Sequence, residues 1–174
     1  MTSVSIVHAE LPQSALLRKY VYEGAYTDCY TTQIAVSIDF PTYVEAFYTT
    51  WVFRLERWIL KLVAKPSTDA DVQRLAQTQA QTFAAWSVEG RAPDQLLLCD
   101  YLGRTRSWLM VAPIDGADRS AGTQLYFGSA VVPVRDKSGK PRLGSTYSGL
   151  LGFHKLYSRI LLRAARARLE SRSR

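Results

Sequence analysis

The chain holds two cysteines, two histidines and two methionines among 174 residues, and that scarcity removes whole classes of chemistry. Cys29 and Cys99 stand far apart, and neither His8 nor His154 lies at a ligand-like spacing from them, so no metal and no other cofactor is assigned. The segment Met1 to Glu10 lacks the basic start and apolar run of a secretory signal. Both cysteines are therefore expected as free thiols, and a cytoplasmic location is expected. No run reaches the ~18 apolar residues of a membrane-crossing helix; the longest uncharged stretches, such as Ser120 to Val134, contain Gly, Pro and polar residues. There is no Gly-x-Ser-x-Gly nucleophile elbow, and no glycine-rich loop leads into a Lys-Ser or Lys-Thr pair. Internal repeats and low-complexity tracts are absent too.

What is present suits one globular domain spanning 1–174. Hydrophobic residues make up 47% and charged residues 21%, a balance that argues against disorder. Four Trp, ten Tyr and six Phe must pack in a core, a pocket or an interface. The net charge of +7 is unevenly spread: from Ser148 to Arg174 seven Lys or Arg stand against one Glu, while the rest of the chain is nearly neutral. The high isoelectric point is a property of the tail.

Leu11-Pro12 opens a short helix toward Arg18. Tyr26 to Ile38, rich in Thr, Tyr, Ile and Val, reads as a strand. Asp39-Phe40-Pro41 then caps a helix over Thr42 to Val63. Its core stripe is Val44, Phe47, Tyr48, Trp51, Leu55, Trp58, Ile59 and Leu62. The β-branched pair Thr49-Thr50 predicts a bend, and Phe53 and Leu60 fall opposite the stripe, on the surface or in a homodimer contact. Ser67 or Thr68 followed by Asp69 and Asp71 predicts a second helix, running to about Gln81. Four strands follow, at Phe83–Glu89, Asp94–Tyr101, Thr105–Ile114 and Thr123–Val134, with connections short enough for an antiparallel meander. Arg135 to Ser145 reads as a loop, and a final helix begins near Thr146.

This order gives an α+β class, with two helices inserted after the first strand and a long helix at the C-terminus. It resembles the helix-grip fold of the START and polyketide-cyclase-like superfamily, and the resemblance implies a curved antiparallel sheet wrapped around that C-terminal helix. The strings Phe53-Arg54-Leu55-Glu56-Arg57, Phe83-Ala84-Ala85-Trp86, Arg104-Thr105-Arg106-Ser107-Trp108, Leu125-Tyr126-Phe127-Gly128-Ser129-Ala130-Val131 and Gly152-Phe153-His154 resemble a proteobacterial family without an assigned activity. The resemblance implies a cavity between sheet and terminal helix. It departs in strand number, since about five are counted here against six or seven; Val4 to Ala9 or Asp136 to Leu143 are candidates to supply the rest.

Several residues are candidates for that cavity. Trp86, Tyr101, Trp108 and Tyr126 lie in the meander and would build an apolar pocket with polar tips. By strand alternation Arg106 shares a face with Trp108; if buried it needs Asp100, Glu89 or an acidic ligand as partner. His154 and Tyr157 come from the terminal helix. On that helix Phe153, Tyr157, Ile160, Leu161 and Ala164 form the expected docked face, and Lys155, Arg159, Arg163 and Arg166 the basic one. The docked part is expected to end near Arg166, leaving 167–174 as a frayed basic tail. The first expectation is non-catalytic binding of a small, largely apolar ligand, neutral or anionic, in the cavity between sheet and terminal helix. The second is a cyclase, dehydratase or hydrolase using His154 as acid or base. The third is peripheral binding of an anionic membrane surface through the basic face. Nucleic acid is disfavoured, because exposed aromatics do not interleave with the cations.

Overall fold

A computed structural model describes residues 5–54, 67–114, 122–135, 141–142 and 147–172, by backbone alone at 134–135, 141–142 and 147–154. In chain order the elements are β1 (Val7–His8), α1 (Arg18–Tyr22), β2 (Tyr26–Ile34), α2 (Phe40–Tyr48), α3 (Asp69–Ala76), β3 (Thr82–Phe83), β4 (Trp86–Ala92), β5 (Gln95–Asp100), β6 (Thr105–Ile114), β7 (Gly122–Val131), β8 (Val134–Arg135), β9 (Pro141–Arg142) and α4 (Tyr147–Arg172). The class is α+β. One seven-stranded sheet runs in the order β1-β2-β7-β6-β5-β4-β3, antiparallel at every junction. β8 and β9 form a separate two-stranded ribbon. The sheet thus has more strands than the five counted from sequence. β1 and β3 are two-residue edge strands, too short to show a period.

Helix boundaries follow from local chemistry. Asp39 accepts a hydrogen bond from Thr42 N–H at 2.8 Å, and Pro41 sits in the first turn of α2. Thr68 and Asp71 close a reciprocal capping box at the start of α3. α2 ends at Thr49, whose hydroxyl turns back to the Glu45 carbonyl, and helix resumes over Trp51–Arg54. That interruption shifts the helical phase and reverses two expectations. Trp51, assigned to the core stripe, is 70% exposed, whereas Phe53, assigned to the surface, is 3% exposed. Phe53 packs among Phe47, Tyr48 and Phe83, with ring centroids 4.8 to 6.5 Å away. Leu55, Trp58, Ile59, Leu60 and Leu62 lie outside the described residues.

Both faces of the sheet are covered. On the inner face α2, α3 and α4 pack over Tyr30, Ile34, Leu96, Leu98, Leu109, Val111, Leu125 and Phe127. On the outer face a strap, Ala9 to Ala25 including α1, lies over Cys29, Leu97, Trp108, Met110 and Ala130. The helix expected over Leu11–Arg18 forms instead at Arg18–Tyr22, near the end of that strap. Gly128 is the point of closest approach. A Cβ there would stand 2.9 Å from both the Asp28 carbonyl and Trp108, and 3.0 Å from Leu17, so only glycine fits.

α4 docks through Ser158, Leu161, Leu162, Ala165 and Leu169. This stripe is rotated from the expected one: Ile160 is exposed, and Tyr157 and Ala164 are half-buried. Helix continues to Arg172 and Leu169 is 1% exposed, so the docked part extends beyond Arg166 and residues 167–172 are not frayed. Among the described residues no helix is long and apolar enough to cross a membrane.

Candidate functional site

The face of α4 turned away from the sheet carries a groove. Leu156, Arg159, Ile160, Arg163, Arg166, Ala167 and Glu170 form one wall, and Ser5 and Ile6, leading into β1, form the other, around a volume of about 570 Å³. At ~100° per residue the helix positions fall within a ~120° sector, opposite the docked stripe. Cations and apolar side chains alternate along it because i, i+3 and i+4 positions share a face. Arg166 is held by Glu170, with Nε donating at 2.9 Å. Among the described residues Arg159 and Arg163 have no ion-pair partner. Leu156 is 58% exposed and Ile160 38%. Lys155 is exposed on the same helix but outside the groove wall. Sequence periodicity had set these three arginines on one face of the helix, and they share that face here. It missed Ile6, Leu156 and Ile160 as their apolar companions.

The residues expected to share a cavity lie on different surfaces. Trp86 and Tyr157 pack against the inner core. Arg106, Trp108 and Tyr126 belong to the outer face, beneath the strap. Tyr101 is exposed in the β5–β6 turn. The side chain of His154 lies outside the described residues. Alternation correctly put Arg106 with Trp108, but which face meets the terminal helix was not legible, since β6 is apolar on both.

On the outer face the strap is anchored twice. Gln95, buried on β5, accepts from Trp108 Nε1 and from Leu16 N–H, both at 2.9 Å, and donates to the Ser14 carbonyl at 3.0 Å. The second anchor is Glu89. A bulge between Val88 and Gly90 makes Glu89 the extra residue on β4 and turns its carboxylate outward. There Tyr20 Oη donates to it at 2.5 Å, Arg106 Nε approaches at 2.5 Å, and Lys19 pairs with it as well. Arg106 also donates to Tyr20 at 2.6 Å and to the Gly103 carbonyl at 2.8 Å. Burial works to raise the Glu89 carboxyl, but the bonds from Lys19 and Tyr20 and the charge of Arg106 outweigh it and leave it below the usual range. Burial, reinforced by the Glu89 hydrogen bond, pushes the Tyr20 hydroxyl far above the tyrosine range. Of the partners proposed for Arg106, Glu89 takes the role; Asp100 instead caps the turn by accepting from Arg104 N–H at 2.7 Å. With every polar group paired, this cluster is a clamp.

The inner face has its own polar groups. Asp28, buried, accepts from Ser129 N–H at 3.1 Å and Ser129 Oγ at 2.5 Å, and Tyr48 Oη meets Ser107 Oγ at 3.1 Å. Thr32 Oγ1 on β2 and Ser158 Oγ on α4 are buried without a hydrogen-bond partner. Both cysteines are free; burial, then the Asp28 charge, raises the Cys29 thiol to about 12, which makes it inert. Among the described residues no three metal-binding side chains come together.

Comparison with protein-family models, curated proteins and solved structures found no match.

Proposed function

We propose that the chain is a non-catalytic binding protein, and that it takes an anionic, partly apolar ligand in the groove between β1 and the outer face of α4. The observation that carries this is the pair of guanidinium groups, Arg159 and Arg163, that have no ion-pair partner among the described residues, beside the exposed Leu156 and Ile160. Two cations one helical turn apart form a ready oxyanion site. Exposed leucine and isoleucine lining the same concavity favour a ligand with an apolar part. The binding role expected from sequence is kept but moves from the cavity between sheet and helix to the opposite surface of α4.

The test is a titration with anilinonaphthalene sulfonate, an anionic amphiphile, followed by fluorescence. Saturable binding should weaken about tenfold in Arg159→Gln/Arg163→Gln, which is about 1.4 kcal/mol, and should fall with added salt. Equal affinity in the double variant, or indifference to salt, would overturn the reading.

A second reading is favoured by Thr32 and Ser158. Buried hydroxyls without partners mark room for water or a polar guest. They lie on elements that pack together, where a helix-grip fold keeps its cavity, and the strand order of β2 and β7 through β3 suits that fold. A strictly unladen mass for the protein taken from its own host, by native mass spectrometry, would remove this reading.

A further inference from the structure

The groove has a second wall whose backbone chemistry narrows the kind of ligand. Among the described residues β1 is the edge of the sheet, pairing Val7 with Thr31 and His8 with Tyr30 and with no strand on its other side. The bond from Ala9 N–H to the Cys29 carbonyl, at 2.9 Å, sets the phase of that ladder. In an antiparallel pair the backbone groups alternate in direction, so those of Val7 and Ala9 turn toward β2 while those of Ile6 and His8 turn to the open edge. An open edge is a template for another strand. Ser5 and Ile6 lead from this edge into the groove, opposite the arginines of α4.

We infer that the groove accepts an extended peptide from another protein, one in which acidic and apolar residues alternate, added to β1 as a further strand. This rests on the reading of the groove as an anion site and names its ligand. Alternate residues of a strand are ~6.7 Å apart, and Arg159 and Arg163 are separated by one helical turn, ~6 Å along the axis. Acidic side chains two apart can therefore meet successive arginines, while the residues between them turn to the other face of the sheet, beside the exposed Val7. A single-headed amphiphile matches less of the surface, because three arginines line the groove and, among the described residues, Arg166 alone of the three has an ion-pair partner. A second copy of this chain is disfavoured by charge, since it would bring its own basic groove to the same edge.

The probe is an alternating glutamate–valine heptapeptide, blocked at both ends, read by fluorescence anisotropy against the full chain. Three controls accompany it: the same residues in block order, the alternating peptide N-methylated on every second amide, and anionic phospholipid vesicles. The inference expects the alternating peptide to bind about tenfold tighter than the block isomer or the methylated form, and the amides of Ile6 and His8 to gain hydrogen-exchange protection. Equal binding of all three peptides, lost in Arg159→Gln/Arg163→Gln, would overturn strand addition and leave the anion site standing. Binding of vesicles or anilinonaphthalene sulfonate without any peptide would do the same. Failure of every anionic probe would overturn both.

Discussion

Replacing Arg106 with Met removes the charge at the centre of the outer-face clamp while keeping most of the side chain's bulk. In the native protein Arg106 is 12% exposed and Glu89 20% exposed, with Nε 2.5 Å from the carboxylate. Removing one partner of a fully buried pair costs about 3–5 kcal/mol, and one charge-assisted hydrogen bond is worth about 1.5–3 kcal/mol. Glu89 keeps Lys19, but that side chain is 49% exposed, and an ion pair at such a site contributes about 0–1 kcal/mol. The expected loss for Arg106→Met is therefore about 2–3 kcal/mol at pH 7. Adding Glu89→Gln removes the stranded charge and keeps an acceptor for Tyr20, so the double variant should be more stable than the sum of the singles by at least about 1 kcal/mol. The pH dependence has a definite sign. The folded carboxyl of Glu89 lies below its ordinary value, so its contribution is complete above about pH 4.3 and drains away as pH falls through the folded value. In Arg106→Met the bonds from Lys19 and Tyr20 remain but the Arg106 charge is gone, so the folded carboxyl moves back toward its ordinary value and the acid sensitivity contributed by Glu89 should shrink. Urea unfolding of the four proteins from pH 7 to pH 3 reads each quantity, provided the slope against denaturant is unchanged. A single variant within about 0.5 kcal/mol of wild type, or strict additivity in the double, would refute the account.

Phe53→Ala should cost about 3–5 kcal/mol and Trp51→Ala less than about 0.5 kcal/mol in the same assay, the reverse of what an unbroken helix through Thr49 and Thr50 would give. Gly128→Ala should destabilise by about 1–3 kcal/mol, since its methyl meets strand backbone as well as Trp108 and Leu17; a neutral result would mean that the strap does not press on the sheet at that point. Thr68→Ala should cost about 1 kcal/mol. Its partner Asp71 is held at about 2 by the backbone and side-chain bonds of Thr68. The stabilisation from Asp71 is therefore present above about pH 4 and lost as pH falls toward 2, and that acid sensitivity should shrink in the variant.

The parts of the fold legible in the sequence were those fixed by short-range chemistry. Asp39 with Pro41, Thr68 with Asp71, and the turn residues between the meander strands each set a boundary that survives in the structure. β6 was read at its observed limits because alternation and flanking turns agree there. What escaped depends on partners far along the chain. Ser-Trp-Leu-Met-Val in β6 is apolar on both faces, so nothing local says which side receives α4 and which the strap. The same ambiguity rotated the docked stripe of α4: Ile160 and Leu161 are equally apolar, and only packing decides which is buried. The groove arginines were legible because charge on one helix face needs no distant partner. Of their apolar neighbours, Ile160 was misread as core, and Leu156 and Ile6 were given no role in a site.

The strap also bears on how the chain comes to be folded. Its anchors join residues widely separated in sequence: Leu16 to Gln95, Tyr20 to Glu89 and Tyr20 to Arg106 span 79, 69 and 86 positions. Closing loops of that length carries an entropic cost that is recovered only once the strands beneath are assembled. During synthesis residues 9–25 emerge before β4, β5 and β6 exist, and have nothing to cover. Until they settle, Leu97, Trp108 and Met110 form an open apolar sheet face, the kind of surface that nascent chains use to associate wrongly. A segment made early thus completes its packing late, and in the interval the outer face of the sheet is open to wrong association.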